Sequence, residues 1–419
     1  MKKLKLIGPF KQLVTMTGLP LKGALSDAQL TIVDDAGMLI EDGKILAIGL
    51  FKNMAVDADN ATTEITTLQV DHVCLPGFID AHTHICFGGS RAKDYAMRNA
   101  GKTYLEIAKA GGGIWDTVTQ TRKASTEELI KKTIKRSKQH LKNGVTTLEV
   151  KSGYGLSVAE ELKMLRAIKT TNAQTPLDLI PTCLAAHMKP KDFLGTNTAY
   201  LKEISSTLFP ILKEENLSHR IDAFIEESAF SKEEIRPYFI KAKEMGFDIT
   251  VHADQFSTDG SAVAVEFGAL SADHLEASTD KEIELLSKSN VIATALPGAS
   301  IGLGCAFTPA RKLLDAGCSV AIASDHNPGS APMGDLLTQA AILQTFEKLS
   351  NAEVLAGITY RAAAALNLTD RGQLKEGLLA DFVLFHTNDY NEILYNQGSF
   401  KPCMVFKNGE LVFDKHKTH

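Results

Sequence analysis

Short apolar runs recur through the middle of the chain and alternate with stretches that carry helix signals. Ser125, Ser231 and Thr279 each precede a glutamate by three positions, which is the spacing of a helix N-terminal capping box. Glycines 144 and 246 then end the first two of these helices. The apolar runs lie at 78–81, 145–150, 177–182, 221–225, 247–251, 269–272, 291–295 and 320–323. This alternation predicts an α/β fold, a closed parallel (β/α)₈ barrel over residues 71–372, with an open doubly wound sheet as the alternative.

The two ends of the chain show a different pattern, in which short apolar runs flank tight turns. The N-terminal runs lie at 30–33, 38–41 and 44–49, and the C-terminal runs lie at 380–385, 404–406 and 410–413. The Asn408-Gly409 pair between the last two runs is typical of a two-residue hairpin turn. Neither end has enough strands for a core of its own. We therefore predict that residues 1–70 and 373–419 pair into one small β-sandwich; the alternative is two separate hairpins lying on the barrel.

Polar residues capable of chemistry stand where the predicted barrel strands end. In chain order these are His82 and His84, Lys151 and Tyr154, His187, Glu226 and Glu227, His252, His274, and Asp325. The carboxyl ends of the strands of such a barrel meet on one face, where active sites lie. Five of the twelve histidines are therefore expected at one mouth.

The spacing of His82 and His84 predicts a metal site. Residues two apart on a strand face the same side, so both imidazoles can reach one cation. His252 and Asp325 would add a nitrogen and an oxygen. Nitrogen and oxygen ligands without thiolate suit one zinc or iron ion (Zn²⁺, Fe²⁺ or Fe³⁺), whereas calcium and magnesium prefer more oxygen. Such an ion generates hydroxide near neutral pH; Asp325 could carry the proton and His274 could stabilise the oxyanion.

Composition narrows the possible partners. The 45 Lys and Arg residues against 50 Asp and Glu give a net charge of −5, which argues against nucleic acid and anionic membranes as partners and favours a small molecule. The longest uncharged stretch, 289–310, is interrupted by proline and glycine and does not suit a membrane span. Six cysteines without a C-x-x-C pair, and no targeting segment, predict a cytoplasmic protein with reduced thiols.

Several segments together resemble the amidohydrolase superfamily and, within it, the imidazolonepropionases of histidine degradation. The resemblance covers nearly the whole chain. The segments that carry it are 76–84 (PGFIDAHTH), 87–91 (FGGSR), 110–114 (AGGGI), 149–155 (EVKSGYG), 185–187 (AAH), 271–274 (SADH) and 324–330 (SDHNPGS). The His-x-His segment alone identifies only the superfamily, whereas the set is specific.

The resemblance implies a reaction and a set of site residues. Water opens the ring of 4-imidazolone-5-propanoate and gives N-formimidoyl-L-glutamate. The implied metal ligands are His82, His84, His252 and Asp325. The implied contacts to substrate and product are Arg91, Tyr154, His187 and residue 255, with Asn327, Gly329 and Ser330. The guanidinium of Arg91 suits the carboxylate tail of this substrate, and a homodimer would be ordinary for the family.

One residue departs from the family pattern. Position 255 is glutamine, where some members carry glutamate. An amide cannot remove a proton, but it can donate one hydrogen bond and accept another at the same time. A substrate ring with an N–H beside a C=O requires such a partner. We therefore assign proton transfer to Asp325 and His274, and substrate orientation to Gln255. Lys151 is expected to form an ion pair, the alternative being a carbamylated bridge between two metals, and one metal is expected.

Two other classes of function remain open from the sequence. A deaminase or another cyclic-amide hydrolase of the same superfamily would use the same ligands, and Arg91 is the feature that asks for an anionic substrate instead. A metal-free scaffold would be expected to have lost ligands, and none is missing here. The sequence thus favours the ring-opening hydrolase.

Overall fold

Residues 4–58, 62–227 and 229–417 are described by the structure, which is a computed structural model. The chain begins with strands that belong to a sheet shared with the other end of the chain. These strands are β1 (Leu4–Val14), β2 (Ile32–Glu41), β3 (Lys44–Leu50), β4 (Thr63–Thr67) and β5 (Val73–Pro76). β1 pairs antiparallel with β2 and parallel with both β4 and β5. β5 thus lies in this sheet although it follows residue 70.

Eight parallel strands form the predicted barrel. They are β6 (Phe78–Asp80), β7 (Val145–Lys151), β8 (Asp178–Ala186), β9 (Arg220–Phe224), β10 (Asp248–Ala253), β11 (Ser271–His274), β12 (Ile292–Ala295) and β13 (Val320–Ile322). Each strand pairs with its neighbour in chain order. The seam between β6 and β13 closes just beyond the strands, where Asp325 N donates to the His82 carbonyl at 3.0 Å and His84 N donates to the His326 carbonyl at 2.9 Å. The closed barrel is confirmed, and the first metal-site candidates lie on its seam.

Helices connect the strands and begin where the capping signals predict. They are α1 (Phe51–Asp57), α2 (Ala92–Asn99), α3 (Tyr104–Lys109), α4 (Ile114–Lys123), α5 (Thr126–Lys142), α6 (Val158–Asn172), α7 (Asn197–Glu214), α8 (Lys232–Glu244), α9 (Gly260–Glu266), α10 (Asp280–Ser287), α11 (Pro297–Leu303), α12 (Ala310–Asp315), α13 (Leu336–Glu347), α14 (Asn351–Gly357), α15 (Tyr360–Ala365) and α16 (Asn391–Tyr395), with a short 3₁₀ helix at Asp27–Gln29. The side chains of Ser125, Ser231 and Thr279 cap α5, α8 and α10. Among the described residues, no helix is both long enough and apolar enough to cross a membrane.

The last three strands complete the terminal sheet. They are β14 (Phe382–Phe385), β15 (Met404–Lys407) and β16 (Glu410–Asp414). β14 pairs antiparallel with β5, which joins both ends of the chain in one mixed sheet of order β16-β15-β14-β5-β1-β2-β3 with β4 beside β1. Phe382 and Phe406 stack within its apolar core with ring centroids 4.4 Å apart. The predicted pairing of the termini is confirmed, and the alternative of two separate hairpins is wrong.

Between β5 and β6 the chain passes from this sheet to the barrel through Gly77. Its N–H donates to the Asp381 carbonyl at 2.8 Å, and a Cβ at this position would lie 2.4 Å from Oγ1 of Thr146. Only glycine permits so close an approach. The start of β6 is therefore fixed between the terminal sheet and the barrel, and this fixes the position of the His-x-His segment that follows it.

Candidate active site

Three buried histidines converge at the carboxyl ends of the barrel strands. His82 and His84 follow β6, and His252 lies in β10. Nε2 of His84 lies 3.2 Å from Nε2 of His82 and 3.4 Å from Nε2 of His252. One ligand atom from each of the three can lie within 4.8 Å of the others. This is a candidate metal centre.

Two carboxylates determine which nitrogen of these rings carries the proton. Nδ1 of His82 lies 2.7 Å from Oδ2 of Asp273, and Nδ1 of His252 lies 2.9 Å from Oδ2 of Asp222. Because an ionised carboxylate only accepts hydrogen bonds, Nδ1 of His82 carries hydrogen, and the charge of Asp222 favours hydrogen on Nδ1 of His252 as well. Both Nε2 atoms then present lone pairs. Burial lowers the pKa of His82 and of His84, and it lowers that of His252 to about 3. Neutral nitrogens with converging lone pairs fit a divalent cation.

Asp325 supplies an oxygen beside the same nitrogens. Its Oδ1 lies 3.6 Å from Nε2 of His82 and 3.4 Å from Nε2 of His84. The residue follows β13 with φ of 51°, a left-handed conformation that is uncommon for aspartate. Burial raises the pKa of this carboxyl to about 6, with His274 acting in the opposite direction. The four predicted ligands thus form one cluster.

Lys151 belongs to the layer beneath the histidines. Its Nζ lies 2.8 Å from Oδ2 of Asp222, 2.8 Å from Oε1 of Glu149 and 3.7 Å from Oδ2 of Asp273. Burial opposes its charge, but these carboxylates raise the pKa of the ammonium above its ordinary value. A protonated amine cannot be carbamylated, so the ion-pair interpretation of Lys151 is the one that this geometry supports.

A cavity of about 610 Å³ opens above this cluster. His82 lies below its floor, and every other predicted site residue lines it. These are His84, Arg91, Tyr154, His187, His252, Gln255, His274, Asp325, Asn327, Gly329 and Ser330. Apolar side chains such as Phe224 and Met188 complete the wall. A few polar groups within a largely apolar wall are typical of a small-molecule site.

Arg91 precedes α2 and lines the cavity. Its Nε donates to Oδ2 of Asp94, a buried carboxylate that also accepts the N–H of Gly113 at 2.8 Å. A methyl group on Gly329 would lie 3.1 Å from Nη1 of Arg91, so the guanidinium rests against the 327–330 loop. Position 112 packs directly on Asp94, whose Oδ1 would lie 2.3 Å from a Cβ there. Two glycines of the segment 110–114 thus pack against Asp94, the partner of Arg91, and this contact accounts for them without a phosphate-binding role.

Tyr154 and His187 form an aromatic wall beside the histidine cluster. Their ring centroids lie 5.6 Å apart. The ring centroid of His84 lies 5.9 Å from that of Tyr154 and 5.8 Å from that of His187. Nδ1 of His187 donates to the Gly153 carbonyl at 3.0 Å, which leaves Nε2 as an acceptor. Burial lowers the pKa of His187 to about 4 and raises that of Tyr154. At neutral pH the wall therefore offers one acceptor and one hydroxyl donor.

Two loops hold the remaining predicted contacts. Oδ1 of Asn327 accepts the N–H groups of Gly329 at 2.7 Å and Ser330 at 2.8 Å, which closes a tight turn. Glu226 accepts the N–H groups of residues 255 and 256, both at 2.9 Å. It therefore anchors the loop that carries Gln255.

His326 turns away from the cavity. Its Nδ1 lies 2.9 Å from Nε2 of His140 in α5, and Nδ1 of His140 lies 3.6 Å from Oδ2 of Asp80. All three side chains are buried. Burial lowers the pKa of His326 to about 4. The group packs behind the barrel seam, and sequence reasoning gave His140 no role.

Comparison with known proteins decides the family. Residues 73–412 match the profile of the amidohydrolase family. The chain is 38% identical to the imidazolonepropionase of Symbiobacterium thermophilum, over 97% of this chain and 96% of that one. It is 40% identical to the imidazolonepropionase of Fusobacterium nucleatum, over 92% of this chain and 94% of that one. The chain belongs to the amidohydrolases, among the imidazolonepropionases.

Solved structures share the fold of this imidazolonepropionase-family chain at low sequence identity. A triazine hydrolase variant superposes with a TM-score of 0.75 at 16% identity, covering 98% of this chain and 95% of that one. An adenosine deaminase from Xanthomonas campestris with bound zinc gives 0.72 at 17% identity, covering 98% and 92%. Likeness at this level concerns the fold alone. The family and the histidine cluster together indicate a divalent metal as cofactor.

Sequence reasoning did not find the carboxylates that orient the site of this imidazolonepropionase-family chain. Asp222 and Asp273 contact the metal-site histidines, and Asp94 contacts Arg91. The one available signal was position, because Asp273 directly precedes His274 in the segment 271–274. Asp222 lies inside an apolar run and Asp94 in a polar helix, where neither pattern nor spacing distinguishes them.

Proposed function

We propose that this chain hydrolyses 4-imidazolone-5-propanoate to N-formimidoyl-L-glutamate, using one zinc or iron ion. The observation that carries the proposal is one cavity that is lined both by the histidine cluster and by Arg91. The substrate offers a carbonyl for the floor and a carboxylate for the guanidinium. Relatives named imidazolonepropionase over almost the whole chain support the same choice.

His82, His84, His252 and Asp325 would hold the metal. When bound, a divalent ion of this kind supplies Lewis-acid activation of water and of the carbonyl. Asp273 and Asp222 keep two of the imidazoles in the tautomer that this requires. Lys151 balances the charge of both carboxylates.

The other side chains bind the substrate and move its protons. Arg91 binds the propanoate through its Nη atoms, because Asp94 already occupies Nε. The neutral His187 accepts from a ring N–H, and Gln255 pairs with the ring amide. The bond between the carbonyl carbon and the ring nitrogen breaks, and the oxygen of water enters the new carboxylate. Asp325 takes the proton of this water and passes it to the leaving nitrogen, while His274 stabilises the oxyanion.

Direct turnover tests the proposal. Purified protein loaded with zinc or iron is incubated with freshly made imidazolonepropionate, and loss of ring absorbance is followed with identification of the product by mass spectrometry. We expect N-formimidoyl-L-glutamate from the native chain and none from His252→Ala. Deamination of guanine or adenosine without turnover of imidazolonepropionate would contradict the proposal and favour a related deaminase. We also propose that the protein works in the cytoplasm, forms a homodimer, and binds neither nucleic acid nor membranes.

A further inference from the structure

His274 reaches the cavity through an unusual turn of the backbone. β11 ends at His274 with φ of 88°, and Leu275 follows with φ of 70°, both in the left-handed region that such residues rarely adopt. Leu275 N donates to the Ala253 carbonyl at 3.0 Å, and Oγ1 of Thr308 donates to the His274 carbonyl at 2.5 Å. These bonds maintain the strained turn. Its effect is to bring the side chain two positions later back beside the imidazole.

That side chain is Glu276. Its Oε1 lies 3.4 Å from Nδ1 of His274, and the two side chains are only 5% and 4% exposed. The other oxygen, Oε2, is buried without a hydrogen-bond partner among the described residues. Among the described residues, no lysine or arginine forms an ion pair with Glu276. A buried carboxylate with one unsatisfied oxygen costs free energy of folding, so its presence calls for an explanation, and a role in function is one.

We propose that Glu276 is a positioning residue for the hydrolysis, accepting the Nδ1–H of His274 so that Nε2 of this ring is aimed at the reacting carbonyl. The inference deepens the proposed function and rests on it. In this chain residue 255 is an amide, so His274 and Asp325 are the groups left to handle protons and negative charge at the floor.

The Glu276→Gln variant separates this role from a structural one. An amide can donate to Nδ1 as well as accept, so the tautomer of His274 is no longer determined. We expect kcat to fall at least about tenfold, as for loss of an aligned acid–base group, while KM stays within about twofold and metal content is unchanged. Because the unsatisfied charge disappears, the melting temperature should stay the same or rise.

A double-mutant cycle shows whether Glu276 acts through His274. In a His274→Ala background, Glu276→Gln should change kcat by less than about twofold, since residues that act as a unit are not additive. A further loss comparable to the loss in the native background would overturn the inference.

Glu282→Gln is the matched control. Glu282 is also buried, but its Oε2 accepts hydrogen bonds from the N–H and the hydroxyl of Thr279 at the start of α10, and its Oε1 lies 3.8 Å from Nζ of Lys281. Its loss should lower the melting temperature and leave kcat unchanged. The stability comparison needs no substrate, so a failure of the inference can be distinguished from a failure of the proposed function. A drop in melting temperature for Glu276→Gln equal to that of Glu282→Gln would overturn the inference.

Discussion

Nζ of Lys151 lies 2.8 Å from Oδ2 of Asp222, and the same carboxylate oxygen lies 2.9 Å from Nδ1 of His252. A buried cation is thereby connected to the candidate metal centre through one shared oxygen atom. The same ammonium lies 3.7 Å from Asp273, which holds His82. One lysine therefore contacts both carboxylates that orient metal-site histidines.

We expect Asp222→Asn to weaken metal binding by about 10- to 100-fold, the usual effect of removing a carboxylate that orients a metal-bound histidine. The measurement is competition for zinc with a chelator of known affinity. Asp381→Asn is the matched control, because Asp381 is a buried partner of Lys407, at 2.7 Å, in the terminal sheet. Equal zinc affinities in the two variants would contradict the role of Asp222.

We expect about one zinc or iron per chain by elemental analysis, because the described residues form one cluster of converging imidazoles. His252→Ala should lose the metal and the activity but remain folded, since catalytic metal sites of this open kind do not by themselves maintain the fold. Circular dichroism checks the fold. Two metals per chain would contradict this prediction and favour the alternative interpretation of Lys151 as a carbamylated bridge between them.

Gln255→Ala should raise KM with little change in kcat, because an amide orients the ring but cannot carry a proton. Asp325→Asn should reduce kcat far more, since it changes both a ligand and the proton carrier. Steady-state kinetics on metal-loaded variants gives the comparison. Equal losses of kcat in the two variants would show that Gln255 does more than orient the substrate.

Arg91→Met should reduce kcat/KM at least tenfold, because a charge-assisted hydrogen bond contributes about 1.5–3 kcal/mol, which is about 10- to 150-fold in affinity. Arg91→Lys should retain more of the native kcat/KM than Arg91→Met but not all of it, since an ammonium lacks the two parallel donors of the guanidinium. The decisive comparison is with the neutral propanamide analogue. The native chain should discriminate against it, and Arg91→Met should treat acid and amide nearly alike.

If Arg91→Met still preferred the acid by the native factor, the carboxylate would be bound elsewhere. Arg98 is then the first candidate, because it lines the same cavity and its Nη2 donates to the Gly302 carbonyl at 2.8 Å. Lys151 is not a candidate, since its side chain is fully buried and paired with carboxylates.

The metal-free protein should lose stability as the pH falls from about 6.5, the ordinary histidine value, towards 4. The folded-state pKa of His187 is lowered to about 4 by burial, so in this window the unfolded chain binds a proton that the folded chain does not. Urea midpoints at several pH values measure the slope. His187→Gln should reduce the slope by the share of one histidine, because the buried His252 and His326 still contribute. His416→Gln, at an exposed position, should leave it unchanged.

The residues of the site could be predicted from the sequence because strand ends of a barrel meet on one face. His82, His84, His252 and Asp325 each follow or end an apolar run, and the closed barrel brings the three imidazoles and the carboxylate into one cluster whatever the intervening loops do. The pairing of the termini could also be predicted, since neither end could form a core alone. Hydrophobic pattern and turn chemistry are local properties, and they are sufficient for these conclusions.

Only the tertiary structure shows which groups control those residues. Asp222, Asp273 and Lys151 come from three different strands, and their contacts depend on side-chain direction inside the barrel, which spacing along the chain does not specify. Glu276 lies beside His274 only because two residues adopt the left-handed conformation. Propensity disfavours that conformation, so no local pattern predicts it, and it is the packing of the surrounding strands that maintains it.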